Sequence, residues 1–233
     1  MIYNYHTHTV RCAHATGSAE DYIKTAIKNG IKYMGFSDHS PFIFPDGCES
    51  GFRVPLSQAM DYFNEIDELR KKYKNDIDIK IGFEMEYYPK YFNSMLDTAK
   101  KFGAEYLILG QHFLKNERPD GVPTSAPTNS IDDITEYSDT IVQAIKSGVF
   151  TYIAHPDVLN FTGTQDIYIK EMRKICIAAR IENVPLEINF LGIRTDRHYP
   201  KNLFWKIVGE ESAPVTFGFD AHDVLSSFDA ESL

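Results

Sequence analysis

Long apolar runs are missing from this 233-residue chain. No stretch approaches the ~18 consecutive apolar residues that a membrane-crossing helix needs. Cysteine is scarce. Cys12, Cys48 and Cys176 are odd in number and far apart, which argues against a disulfide framework and suits a reducing cytoplasm. Basic charge is also short, with 24 Lys and Arg against 33 Asp and Glu and a net charge of −9. That balance disfavours a broad nucleic-acid or anionic-membrane surface, and no basic run interleaved with aromatics is present. The opening residues, Met1 to His6, carry neither a basic n-region nor an apolar h-region, so no secretory leader is expected. There is no Gly-x-Ser-x-Gly elbow and no Walker-type loop. A serine nucleophile or a nucleotide-binding glycine loop therefore lacks support. Nothing reads as a linker, a low-complexity tract or a repeat, so one domain over residues 1–233 is expected.

What is present is strand-helix alternation. Short apolar runs at Ile2–Tyr5, Tyr33–Phe36, Ile77–Phe83, Tyr106–Leu109, Thr151–Ala154, Leu186–Ile188 and Val215–Phe217 read as strands. They are near-continuous rather than alternating, as in a parallel sheet covered on both faces. Amphipathic stretches lie between them. Ser18 opens the first as an N-cap with Asp21 in a capping-box position, and Gly30 closes it. Leu56–Tyr73, Tyr91–Phe102, Ile131–Ser147, Ile167–Glu182 and Leu203–Glu210 complete the helices, and Lys115–Asn129, with three prolines, reads as a loop. The pattern predicts a (β/α) barrel or a doubly wound sheet. Only ten residues follow Asp223, too few for a full closing helix. The last βα unit is therefore expected to be incomplete or cut short. The surface beside the last strand is expected to be apolar and covered by another subunit, as in a homo-oligomer.

The histidines do not scatter. Seven of the eight follow a strand: His6, His8 and His14 after the first, His39 after the second, His112 after the fourth, His155 after the fifth and His222 after the seventh. Glu84 and Glu86 stand at the same place on strand three, and Asp220 precedes His222. In a barrel all these positions lie on the C-terminal rim, where βα loops build active sites. Imidazole mixed with carboxylate suits Zn, Fe or Mn. Nine candidate ligands (His6, His8, His14, His39, Glu84, His112, His155, Asp220, His222) exceed what one tetrahedral ion takes. They point to two or three ions with a bridging carboxylate.

The motifs His6-Thr7-His8-Thr9, Cys12-Ala13-His14 and Gly35-Phe36-Ser37-Asp38-His39 resemble the opening of the polymerase-and-histidinol-phosphatase (PHP) superfamily, and within it the histidinol-phosphate phosphatases. The likeness continues through Gly82-Phe83-Glu84-Met85-Glu86, Gly110-Gln111-His112, His155-Pro156-Asp157, Glu187-Ile188-Asn189 and Gly218-Phe219-Asp220-Ala221-His222. It implies a distorted (β/α)₇ barrel of α/β class with a trinuclear site. His6, His8, Glu84 and Asp220 would hold one ion, Glu84 would bridge to a second held by His112 and His155, and His14, His39 and His222 would hold the third. Many superfamily members carry Asp where this chain has His14, whereas the histidinol phosphatase branch commonly has His. The stretch holding Asn189, Arg194, Arg197 and His198 resembles that branch's phosphate- and substrate-binding loop, although these are equally readable as solvated loop charges. The second arginine that some relatives carry after the strand-five histidine is absent from Pro156–Phe161.

The resemblance implies hydrolysis of L-histidinol phosphate in histidine biosynthesis by a metal-bridging hydroxide, with His6, His8, Glu84 and Asp220 holding the activated water. Another small phosphomonoester, a nucleotide or a phosphotyrosyl peptide would need the same site. A non-catalytic metal-binding module is the alternative of a different class. Several neighbours admit two readings. Asp38 orients an imidazole or caps a turn, and Glu86 supports a ligand or faces substrate. Asp157 and Asp223 admit a site role as well as a structural one. Cys12 reads as a packing thiol. Arg11, Arg53 and Arg118 lie in rim loops. Phe42, Tyr87, Tyr88 and Phe113 wall a pocket or fill the core.

Overall fold

The structure, a computed structural model, describes residues 1–118, 121–225 and 228. The elements run β1 (Tyr3–Asn4), α1 (Ala19–Lys28), β2 (Tyr33–Phe36), α2 (Ala59–Lys72), β3 (Asp78–Met85), α3 (Phe92–Phe102), β4 (Tyr106–Leu109), β5 (Phe113–Leu114), β6 (Val122–Pro123), α4 (Ile131–Lys146), β7 (Tyr152–Ile153), α5 (Gln165–Glu182), β8 (Leu186–Asn189), α6 (Phe190–Arg194), α7 (Asn202–Glu211) and β9 (Val215–Gly218). Seven strands form a sheet ordered β1-β2-β3-β4-β7-β8-β9, with β5 and β6 as a separate antiparallel pair. A doubly wound sheet starts in the middle and reverses its strand order. Here the order follows the chain, as in a barrel. Register is parallel, pairing Tyr3 with Tyr33, Met34 with Ile79 and Ile108 with Tyr152. Beyond the last strand Ala221 bridges back to Thr7, with His8 N–H donating to the Ala221 carbonyl at 3.0 Å and Ala221 N–H to the His6 carbonyl at 3.1 Å. The expected (β/α)₇ architecture is the one found.

The residues divide into two compact units. One comprises Met1–Glu84, Tyr91–Leu107 and Gly218–Leu233, the other Met85–Lys90 and Ile108–Phe217. In the first, Tyr22, Ile23 and Ala26 of α1 and Tyr62, Phe63 and Ile66 of α2 are buried with Met34, Phe36, Ile79, Ile81 and Phe83 of β2 and β3. Tyr62 stacks on Phe83 at 5.5 Å between centroids. In the second, Ile134, Tyr137 and Ile141 of α4, Tyr168, Met172 and Ile175 of α5, and Phe204 and Ile207 of α7 are buried. Each such Ile, Met or Phe side chain contributes roughly 1.5–3 kcal/mol on burial.

Local signals place the ends. Ser18 and Asp21 form the reciprocal capping box. Gly103 ends α3 at φ 87°, left-handed backbone that glycine adopts without penalty. Two features differ from expectation. The loop Lys115–Asn129 contains β6, whose strand pairs with β5. The five-residue α6 is too short to show a 3.6-residue period, and begins where the Asn189 side chain accepts from Gly192 N–H at 2.9 Å. The apolar surface expected beside the last strand is present on β9, where Val215 and Phe217 are 42% and 39% exposed. The expectation about the final residues falls mostly on 226–227 and 229–233, outside the described residues. Among the described residues, no helix is long and apolar enough to cross a membrane.

Candidate metal centre

In the first unit, the chain after β1 turns on Asn4. Its Nδ2 donates to Thr7 Oγ1 at 2.8 Å and to the His6 carbonyl at 3.1 Å, while its Oδ1 accepts from Phe219 N–H at 3.0 Å. His6 and His8, two apart on extended chain, thus reach the same side. Glu84, from the end of β3, is buried, and its Oε2 is their focus. It lies 3.6 Å from His6 Nε2, 3.4 Å from His8 Nε2 and 3.2 Å from His39 Nδ1. Asp220 Oδ1 lies 3.4 Å from His6 Nε2 and 3.3 Å from His8 Nε2. Ligands bound about 2.0–2.1 Å from a tetrahedral ion stand about 3.3 Å from one another, so these spacings fit a shared ion. His14, His39 and His222 bring their ligand atoms within 4.8 Å of one another. His222 stacks on His8 at 4.0 Å and on His14 at 4.7 Å.

The imidazole tautomers point the same way. His14 Nδ1 lies 2.7 Å from the Cys12 carbonyl and His222 Nδ1 lies 3.0 Å from the Asp220 carbonyl. A carbonyl only accepts, so each Nδ1 carries a proton, which leaves Nε2 as the nitrogen that can face an ion. His8 Nδ1 faces Asp38 Oδ1 at 3.4 Å. Buried Asp38 is itself fixed by Thr9 N–H at 3.0 Å, the Thr9 hydroxyl and His39 N–H at 2.8 Å. It therefore both turns the backbone and faces an imidazole. His222 Nε2 is buried without a hydrogen-bond partner, a cost that a cation removes, and His8 Nε2 faces the Glu84 and Asp220 carboxylates at 3.4 and 3.3 Å. The Cys12 thiol is buried and donates to the Thr9 carbonyl at 3.1 Å. Its sulfur also falls within 4.8 Å of ligand atoms of His8 and His222.

The electrostatics of this unit are those of a cation site. Burial pushes the Asp220 carboxyl up, but the His6 and His222 imidazoles and hydrogen bonds from His222 and His8 hold it well below the usual carboxylate range. Burial pushes His8 down, yet hydrogen bonds with Asp220, Asp38 and Cys12 and the charge of Glu84 leave it well above 6.5. His14 is lowered by burial and by His222.

The second unit carries the other two candidate ligands. His112 Nδ1 lies 2.8 Å from Oε1 of buried Glu86, the placement of a carboxylate that orients an imidazole. The His112 and His155 rings are 5.1 Å apart. His155 has φ 30°, and its N–H donates to Glu187 Oε2 at 3.1 Å. Tyr199 sits 5.8 Å from the His155 ring. Asp157, its carboxyl pushed up to about 7 by burial, accepts from Lys201 N–H at 2.6 Å.

The proposed phosphate-binding residues share this unit. Arg197 is exposed, with Nη1 donating to Tyr199 Oη at 2.7 Å and Nε to Thr195 Oγ1 at 3.1 Å. Arg194 ends α6 and is half-buried. His198 Nε2 is engaged by the Val158 carbonyl at 2.7 Å, and Asn189 by Glu187 and Gly192. Those two side chains therefore hold the loop. Elsewhere, Arg11 pairs with Glu65 at 2.6 Å and buried Arg53 donates to the Ser40 carbonyl at 2.8 Å. Phe42 is buried against Phe44 and Tyr91, and Tyr88 is buried with its hydroxyl on Glu117, so both are core. Glu187 and Tyr199 were missed as site neighbours. The signal for Glu187 was a charge inside the apolar run Leu186–Asn189, two residues from Asn189 and so on the same face.

Comparison with known proteins follows this geometry. The family model described as PHP domain matches residues 4–190. A histidinol-phosphatase of Bacillus subtilis strain 168 is 24% identical over 250 residues, covering 93% of this chain and 92% of its own. A Listeria monocytogenes crystal structure, whose histidinol phosphatase assignment is itself provisional, superposes with TM-score 0.82 at 19% identity, over 99% of this chain and 98% of that one. The histidinol phosphate phosphatase of Lactococcus lactis subsp. lactis Il1403, complexed with Zn, L-histidinol and phosphate, superposes with TM-score 0.71 at 22% identity, over 95% of this chain and 86% of that one.

Proposed function

The chain belongs to the PHP domain family, and from that premise we propose that it is a metal-dependent phosphatase hydrolysing L-histidinol phosphate to L-histidinol and phosphate. The observation that carries the chemistry is the focus on Glu84, whose Oε2 faces one nitrogen each of His6, His8 and His39 at 3.2–3.6 Å. In this reading His6, His8, His14, His39, Glu84, Asp220 and His222 are metal ligands, with His112 and His155 as further ligands. They take two to three divalent ions, Zn, Fe or Mn by donor type. Divalent ions supply two things to phosphomonoester hydrolysis: a water acidified toward neutral pH and neutralised charge on the phosphoryl oxygens.

The chain's own residues do the rest. Asp38 and Glu86 orient His8 and His112. The carbonyls of Cys12 and Asp220 set the tautomers of His14 and His222. Arg197, braced by Tyr199, and Arg194 meet the phosphate, with Asn189 and His198 shaping their loop. The PHP domain spans residues 1–233, works in the cytoplasm on a small phosphomonoester, and leaves nucleic acid and membrane aside. Self-association through the exposed Val215 and Phe217 belongs to the same reading.

The test is phosphate release from L-histidinol phosphate against a panel of a nucleotide, a phosphotyrosyl peptide and other monoesters, with metals quantified on the same batch. Preference for histidinol phosphate is expected, falling at least 10³-fold in His39→Ala and Glu84→Ala. Release from other monoesters alone moves the substrate and keeps the site. No release at two to three bound ions per chain makes the protein a metal-binding module.

A further inference from the structure

We infer that Glu187 is a positioning residue that joins the metal ligand His155 to the phosphate-facing loop; this rests on the functional reading above. His155 sits at φ 30°, a backbone region that residues with a β-carbon rarely occupy. Such a conformation persists only where its surroundings over-determine it. Here the restraint is visible. The His155 N–H donates to Glu187 Oε2 at 3.1 Å, and Glu187 is fully buried on β8. The same oxygen accepts from Asn189 Nδ2 at 3.0 Å, and Asn189 Oδ1 accepts from Gly192 N–H at 2.9 Å at the start of α6. One carboxylate oxygen thus fixes the backbone under His155 and, through one amide side chain, the first turn of the helix that ends in Arg194.

The two segments are stitched again farther on. Lys201 N–H donates to Asp157 Oδ2 at 2.6 Å, and His198 Nε2 to the Val158 carbonyl at 2.7 Å. The loop from Asn189 to Lys201 is therefore bound at three places to the segment that follows β7. Glu187 holds the end nearest His155. Holding an N–H needs an oxygen acceptor at that point, not a negative charge. Glutamine can supply it and methionine, of similar length, cannot.

The experiment compares unmodified protein with Glu187→Gln, Glu187→Met, Asn189→Ala and His155→Ala. Hydrogen exchange of the His155 amide is followed in metal-free protein, Mn²⁺ and Zn²⁺ affinity by competition with a chromophoric chelator, and kcat and KM with histidinol phosphate. Glu187→Met is expected to speed His155 exchange at least tenfold and to weaken metal binding roughly 10–100-fold. Glu187→Gln should stay within about threefold of unmodified protein in both. Asn189→Ala should raise KM with metal affinity unchanged. Unchanged exchange and metal affinity in Glu187→Met overturn the inference. So does Glu187→Gln as impaired as Glu187→Met, since charge would then be what matters. Should circular dichroism show Glu187→Met unfolded, the Gln and Asn189→Ala variants decide, and unchanged KM in the latter overturns the link to the loop. If His155→Ala binds metal as the unmodified protein does, the functional reading fails at that ligand. The amide exchange, measured without metal, then still judges Glu187.

Discussion

A histidine can present either nitrogen, and this chain settles the choice with acceptors from nearby in its own sequence. His14 is two residues from its carbonyl partner at Cys12, and His222 two residues from Asp220. Such local pairings follow from short spacing along the chain. His8 and Asp38 are thirty residues apart, and only the fold makes them neighbours. Removing Asp38 frees the His8 ring to rotate and leaves Thr9 N–H and His39 N–H without their acceptor. Asp38→Ala is expected to weaken metal binding roughly 10–100-fold, measured by chelator competition, and Asp38→Asn less, because its amide oxygen still accepts. Equal affinity in Asp38→Ala and unmodified protein would show that His8 is held by packing alone. The histidines were legible because seven of eight follow strands. Glu86 was legible as a residue but not as a role, since its partnership with His112 Nδ1 spans 26 positions.

Strands and long helices were readable from apolar pattern and capping, as Ser18 and Asp21 at α1 and Tyr33–Phe36 at β2 illustrate. Pattern failed where an element was too short for a period, as in α6, or too short to bury a face, as in β5 and β6. The open apolar surface of β9 was legible, although apolar composition states what a strand can bury and not what arrives to cover it. Gly82 in β3 shows a constraint that pattern does not carry. A β-carbon there would collide with the backbone carbonyl and ring of Tyr106 on β4. Tyr106 is in turn fixed by its hydroxyl, which donates to the Tyr5 carbonyl at 2.9 Å. Gly82→Ala should therefore cost about 1–3 kcal/mol in urea unfolding, as overpacking does. Ser18→Ala, which removes the exposed cap at the other end of the scale, should cost about 1 kcal/mol and leave phosphatase activity as it was. A neutral Gly82→Ala would mean that β4 shifts without strain.

For the molecule as a whole, the first unit gathers three buried carboxylates, Asp38, Glu84 and Asp220, with the five imidazoles of His6, His8, His14, His39 and His222. A bound ion is the natural counterpart of that set, so metal should stabilise the fold as well as run the reaction. Ions present at about 100 times their Kd add roughly 2.7 kcal/mol, which for a chain of this length is about 5–10 °C in the unfolding midpoint. Chelation should lower the midpoint by that amount and abolish phosphate release, and re-addition of Mn²⁺ or Zn²⁺ should restore both; a midpoint indifferent to chelator would separate the site from stability. From the sequence alone came the α/β class, the order of elements, the family and the set of residues rich in ligand atoms. Each of these is written in local pattern, charge and motif order along the chain. The tertiary structure decided which side chains lie against which imidazoles, and that Glu187 stands behind His155. Those facts depend on contacts between residues tens of positions apart, whose partners no local period can specify.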